Sequence, residues 1–120
     1  MIGCQPINSA IMFESIKQGK IVAIDSSDTI SDGTAGGIEE NSITFNFCQK
    51  YVDDFILVSE YEIKKSIIFM LQHHHMLIEG AAALTVSAYL KNKSKFEGKN
   101  VVLVISGAKI SLEKLKEVLC

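Results

Sequence analysis

The apolar positions of this chain change their period several times along its length. Met1 to Cys4 is a short run that reads as the end of a strand, and Pro6, which has no N–H to give to a ladder, closes it. From Asn8 the spacing turns helical through Ala10, Ile11, Met12, Ser15 and Ile16, with Gly19 as the stop. Residues 20–41 keep no period. They carry turn chemistry at Asp25-Ser26-Ser27-Asp28 and a glycine-rich stretch ending Gly36-Gly37. A short helix is predicted from Ser42 to about Lys50, and Phe55-Ile56-Leu57-Val58 reads as a short strand.

Ser59-Glu60-Tyr61-Glu62 has the form of a capping box, in which a hydroxyl and a carboxylate each satisfy a free N–H. The helix it opens sets Ile63, Ile67, Met70, Leu71 and His74 on one face. Glu79 to about Lys91 predicts another helix, apolar nearly all round and built of small residues, the pattern of a buried helix closely approached by its neighbours. Lys91 to Lys99 is a charged surface turn. Val101-Val102-Leu103-Val104-Ile105 is an unbroken apolar run, as expected of a strand covered on both faces. Ser111 then opens a last helix with Leu112, Leu115, Val118 and Leu119 inward. Strands alternating with helices in this order predict an α/β fold with an open parallel sheet and flanking helices.

Composition narrows the function classes. The chain has 120 residues, 48% hydrophobic and 22% charged, which is globular and the size of one domain or part of one. A net charge of −2 argues against nucleic acid or an anionic membrane as partner. All 12 basic residues are lysines, so any anion must be held by lysines, hydroxyls or backbone N–H groups rather than by a guanidinium fork. Cys4, Cys48 and Cys120 lie far apart with no C-x-x-C, which indicates neither a disulfide framework nor a zinc knuckle. Cys4 and Cys48 read as small core hydrophobes. No apolar run reaches the ~20 residues of a membrane span, and no signal segment is visible, so the cytoplasm is expected.

Ligands of open parallel sheets bind beyond the C-terminal ends of strands. Three stretches have that address: Gln5-Pro6-Ile7-Asn8, Val58-Ser59 and Ser106-Gly107-Ala108-Lys109. The third is the most suggestive, because a hydroxyl followed by a glycine admits a ligand closely and bonds a ring nitrogen without imposing charge. The bland alternative is a turn in which Ser106 bonds its own backbone. His73-His74-His75 does not read as a metal site: successive helical side chains diverge by ~100° and cannot converge on one ion. One half-buried and two exposed imidazoles are expected there. Asp53-Asp54 and Glu39-Glu40 read as solvated charges rather than acid/base pairs.

Four stretches in order carry a resemblance: Gly3-Cys4-Gln5-Pro6, Ser31-Asp32-Gly33-Thr34-Ala35-Gly36-Gly37, Leu77-Ile78-Glu79-Gly80-Ala81-Ala82 and Val104-Ile105-Ser106-Gly107. Together they resemble the C-terminal part of pyridoxal-phosphate (PLP) dependent threonine/serine dehydratases and their relatives, serine racemase and 3-hydroxyaspartate ammonia-lyase. The resemblance covers the whole chain. It implies part of the large domain of a fold type II, tryptophan synthase β-like, PLP enzyme, with residues 1–120 a C-terminal fragment of the catalytic domain.

The resemblance also implies roles. Ser106 matches the serine that bonds the PLP ring nitrogen, Gly107 the position that lets the backbone approach the ring, and Glu79 a carboxylate near the cofactor. Asp32 and Gly33 match a loop bordering substrate and cofactor. Three departures stand out: Ala108-Lys109 replaces the usual Gly-Asn, Ala83 stands where glycine is frequent, and Gln5, Ser9 and Ile11 offer no carboxylate where some relatives bind a divalent metal. The family's cofactor-bonding lysine and phosphate loop precede the matching region, and the Gly33–Gly37 stretch is not that loop. Lys109, the lysine nearest the presumed pocket, reads as solvated.

The expectation is therefore a chain inactive alone. It would need the missing N-terminal half or a full-length homologue, would take a β-hydroxy amino acid as substrate in the complete enzyme, and would self-associate or form homo-oligomers through uncovered apolar faces. PLP is not expected to bind stably to the chain by itself. A second reading is a non-catalytic gene remnant, or an interaction module docking on a full-length relative.

Overall fold

The computed structural model describes residues 1–120. Two strands, β1 (Ile2–Pro6) and β2 (Asp54–Val58), pair in parallel with Ile2 opposite Asp54 and Pro6 opposite Val58. Five helices surround them: α1 (Ile11–Gln18), α2 (Ile43–Tyr51), α3 (Glu60–His74), α4 (Gly80–Lys91) and α5 (Leu112–Leu119). The α/β class and the parallel sheet expected from the pattern are present.

The core forms where β2, α3 and α4 meet. Period two on β2 turns Ile56 and Val58 inward, and period 3.6 on α3 adds Ile63, Ile67 and Met70. Helix α4 contributes Ala82, Ala83, Leu84, Val86 and Ala88, small enough for α3 to approach closely. Between these helices the buried Ser87 hydroxyl lies 2.7 Å from Ser66 Oγ and 2.8 Å from the Ala83 carbonyl oxygen, so the polar group is satisfied.

The capping box at the start of α3 is complete. Ser59 Oγ accepts from the Glu62 N–H, and the Ser59 N–H donates to Glu62 Oε2 at 2.8 Å. Gly19 ends α1 with φ +70°, a left-handed conformation that glycine adopts without steric cost. Cys4 packs partly buried against the core, and burial pushes its thiol pKa up. No helix is long and apolar enough to cross a membrane.

Three expectations are corrected. Val101–Ile105 is not a strand: neither β1 nor β2 pairs with it, and Val102 is 87% exposed. An apolar run marks what a strand needs to bury, but a strand exists only with a ladder partner. In α5, Val118 is buried, whereas Leu112 and Leu119 face solvent at 75% and 53% exposure. The helix packs against α3, where Lys64 pairs with Glu117 at 2.9 Å. Finally, His74 leaves the buried face, and all three imidazoles are exposed. His75 ends α3 with φ +53°, while the rings of His73 and His74 lie 4.7 and 5.7 Å from that of Phe69.

Candidate functional site

Glu79 stands at the N-cap of α4, where the last extended residue meets a buried helix. Its N–H donates to the Gly107 carbonyl at 3.1 Å, and its carboxylate Oε2 accepts the Lys109 N–H at 2.9 Å. One residue thus clasps the Gly107–Lys109 turn at two points. The clasp depends on glycine, since a Cβ at Gly107 would lie 2.4–2.5 Å from the atoms of the Glu79 carboxylate. Gly33 also comes close: a Cβ there would lie 3.6 Å from Ala81 Cβ and 3.8 Å from Glu79 Oε1.

The loop bearing Gly33 is seated just as closely. Ile30 and Ser31 are buried, and a Cβ on Gly80 would meet the Ile30 carbonyl oxygen at 2.3 Å. A single turn of 3-10 helix, Asp32–Thr34, then turns the chain outward. Asp32 itself is exposed and salt-bridged to Lys114 of α5 at 2.7 Å. The hydrogen bond from Lys114 holds its carboxyl below the usual carboxylate range.

Gly33, Glu79 and Gly107 therefore converge on one carboxylate. Ser106 is exposed beside Gly107, at the end of an unpaired run and not of a central strand. Lys109 is exposed, with its backbone rather than its ammonium in the clasp.

The other two candidate addresses are taken up by structure. Ser59 caps α3, and Gln5 spans the β1–α1 connection, with Oε1 accepting the Phe13 N–H at 2.7 Å and Nε2 donating to the Ser9 carbonyl at 3.4 Å. No three histidine, cysteine or acidic side chains are grouped to hold a metal ion. Sequence reasoning missed two residues that shape the site. Lys114 pairs with Asp32, and Glu60 holds the preceding loop through Thr29 Oγ1 at 2.6 Å and the Ile30 N–H at 2.8 Å. The signal for Glu60 was present: the capping box uses Glu62, which leaves a second carboxylate in the same turn unassigned.

A family model described as pyridoxal-phosphate dependent enzyme matches residues 1–107. The chain belongs to the pyridoxal-phosphate dependent enzyme family. It is 34% identical over 119 residues to an L-threonine ammonia-lyase of Thermotoga maritima, and 36% identical over 118 residues to a biosynthetic L-threonine dehydratase of Bacillus subtilis. These alignments cover 99% and 98% of this chain but 29% and 28% of the relatives, so the chain spans under a third of their length.

The processed threonine deaminase isoform 2 of Solanum lycopersicum superposes with TM-score 0.83 at 30% identity, over 98% of this chain and 34% of that one. Maize serine racemase superposes equally well, TM-score 0.83 over 98% of this chain and 37% of that one; at 22% identity it speaks for the fold alone.

Enzymes of this family use PLP, and the donor set here suits the ring end of that cofactor better than its phosphate end. The place a side chain would take at Gly107 is filled by the Glu79 carboxylate, and beside this turn stands one hydroxyl, Ser106. A hydroxyl can meet a ring nitrogen as donor or acceptor. The chain has no arginine to clamp a phosphate.

Proposed function

We propose that this chain forms the ring-side wall of the cofactor pocket in a PLP-dependent ammonia-lyase, which converts L-threonine, L-serine or a related β-hydroxy amino acid to a 2-oxo acid and ammonia. The observation that carries the reading is the convergence of Gly33 and Gly107 on the Glu79 carboxylate, from segments far apart in sequence. Similarity to threonine ammonia-lyases and dehydratases along nearly the whole chain supports the reaction class.

The chemistry PLP supplies when bound is electron withdrawal from the substrate α-carbon, which lets the α-proton leave and the β-hydroxyl depart as water. The residues of this chain orient and enclose. Ser106 would hold the ring nitrogen with a neutral hydroxyl, which would leave that nitrogen largely unprotonated and favour elimination over transamination. Gly107, without a side chain, lets the Glu79 carboxylate lie against its backbone beside Ser106. Glu79 fixes the turn on which Ser106 and Gly107 stand, and Asp32 and Gly33 border the substrate. The lysine that bonds the cofactor and the loop that holds its phosphate belong to another part of the enzyme.

The same reading accounts for the apolar surface. Ile2, Cys4, Ile56, Val102 and Val104 help line a groove of about 350 Å³. Exposed apolar surface of this kind marks an interaction face. Its occupant in this account is the rest of the catalytic domain, supplied by the N-terminal half or a full-length relative in the cytoplasm.

A hybrid tests the function. Residues 1–120 replace the matching 119 residues of the Thermotoga relative, and PLP content and 2-oxobutanoate release from L-threonine are measured. A PLP-loaded hybrid that releases 2-oxobutanoate, and loses most of that rate on Ser106→Ala, supports the reading. A folded hybrid that retains no PLP overturns it.

A further inference from the structure

The segment Thr29–Thr34 poses a physical problem. Outside its one 3-10 turn it is irregular, yet Ile30 and Ser31 are 5% and 0% exposed. Buried irregular backbone persists only where each N–H and C=O finds a partner. Most partners here are local. The Ser31 N–H donates to Thr29 Oγ1 at 3.1 Å, and the Ser31 carbonyl accepts from the Thr34 N–H at 3.0 Å and from its hydroxyl at 2.9 Å.

One set reaches outside the loop. Glu60, in the first turn of α3, accepts the Thr29 hydroxyl on Oε1 and the Ile30 N–H on Oε2. Thr29 thereby relays the carboxylate to Ser31, since its oxygen accepts one hydrogen while its own hydrogen goes to Glu60. On the opposite side Gly80 leaves just enough room for the Ile30 carbonyl. The loop is held between a carboxylate and a missing side chain, and its next two residues are Asp32 and Gly33.

We propose that Glu60 is the positioning residue of this site. By gripping Thr29 and Ile30 it sets the height at which Gly33 stands against Glu79, and so the width of the pocket on its substrate side. The pocket role rests on the functional reading above; the grip itself rests on the geometry alone. A carboxylate suits the two donors best, each oxygen accepting one. Glutamine can accept the Ile30 N–H but must reverse the bond to Thr29 Oγ1, which leaves the Thr29 hydroxyl hydrogen to find another partner.

The test has two arms. In the 120-residue chain, amide hydrogen exchange is followed by NMR for Glu60→Ala, Glu60→Gln and the milder Thr29→Val. Glu60→Ala should speed exchange at Ile30 and Ser31 by about tenfold or more and leave Leu84 and Val86 in α4 within about twofold, as for a local opening. Glu60→Gln should fall between Ala and wild type. Adding Thr29→Val to Glu60→Ala should change little further, because both act on one network.

Equal acceleration in loop and core would reduce Glu60 to a general stabilising residue and overturn the proposal, as would no acceleration anywhere. In the Thermotoga hybrid, Glu60→Gln should raise KM for L-threonine at least about threefold with PLP content unchanged; an unchanged KM would overturn the pocket role. A hybrid without PLP would instead refute the functional reading, and the exchange data would still decide the grip.

Discussion

Glu79 and Gly107 are complementary in the strict sense that one occupies the place of the other's absent side chain: the carboxylate sits 2.4–2.5 Å from where a Cβ of residue 107 would be. Gly107→Ala must therefore push the carboxylate away from the Lys109 N–H. The obstructed group is the end of a flexible side chain, so the cost should be modest, about 1 kcal/mol, the low end for overpacking. Thermal unfolding and the Lys109 amide shift check this. Gly37→Ala, with nothing within 4 Å, is the control and should change little.

Gly80→Ala should be worse. The obstructing atoms are the Ile30 carbonyl oxygen at 2.3 Å and its carbon at 2.6 Å, which are backbone and cannot swing aside. A loss of about 2–3 kcal/mol is expected, with amide shifts concentrated in residues 29–35. A loss smaller than that of Gly107→Ala would show the loop to be less firmly seated than described.

The core and the outer face of α5 give opposite forecasts for similar substitutions. Ile67→Ala empties a fully buried position between α3 and α4 and should cost about 2–5 kcal/mol. Leu112→Ala, at a position 75% exposed, should stay within about 0.5 kcal/mol. Urea unfolding of both variants measures the difference.

Much of this was legible beforehand, and the reason is locality. The capping box at Ser59–Glu62, the stop at Gly19 and the small residues of α4 each state a requirement that nearby backbone satisfies. The run Val101–Ile105 and the face of α5 were misread because period and apolarity say what a segment would bury, not whether a neighbour is there to bury it. In the site, the family motifs pointed to Gly33, Glu79 and Gly107. Glu60 and Lys114 stayed hidden because their partners, Thr29, Ile30 and Asp32, are distant in sequence and share no pattern with them.

Acid should loosen the start of α3. Burial alone would raise the Glu62 carboxyl pKa, but the Ser59 N–H and hydroxyl and the Lys91 ammonium outweigh it, and the net shift is downward from the ordinary 4.5. A carboxylate with a lowered folded-state pKa contributes stability that is present above its unfolded value and lost as pH falls through its folded value. Unfolding free energy should therefore decline below about pH 4.5. Glu62→Gln should be less stable at neutral pH and show a shallower acid decline. An identical decline in both would place the acid-sensitive group elsewhere.

The central claim is that this chain walls the ring of a cofactor whose covalent anchor lies in another part of the enzyme. The most direct measurement is to mix the purified chain with PLP, reduce with borohydride, digest, and map the pyridoxyl-lysines. A lysine forms a Schiff base efficiently when its amine is desolvated or lowered in pKa, and the 12 lysines of this chain include none that is buried. The account predicts low-level labelling scattered over many lysines, with no visible absorption band before reduction. A single lysine labelled stoichiometrically would contradict it.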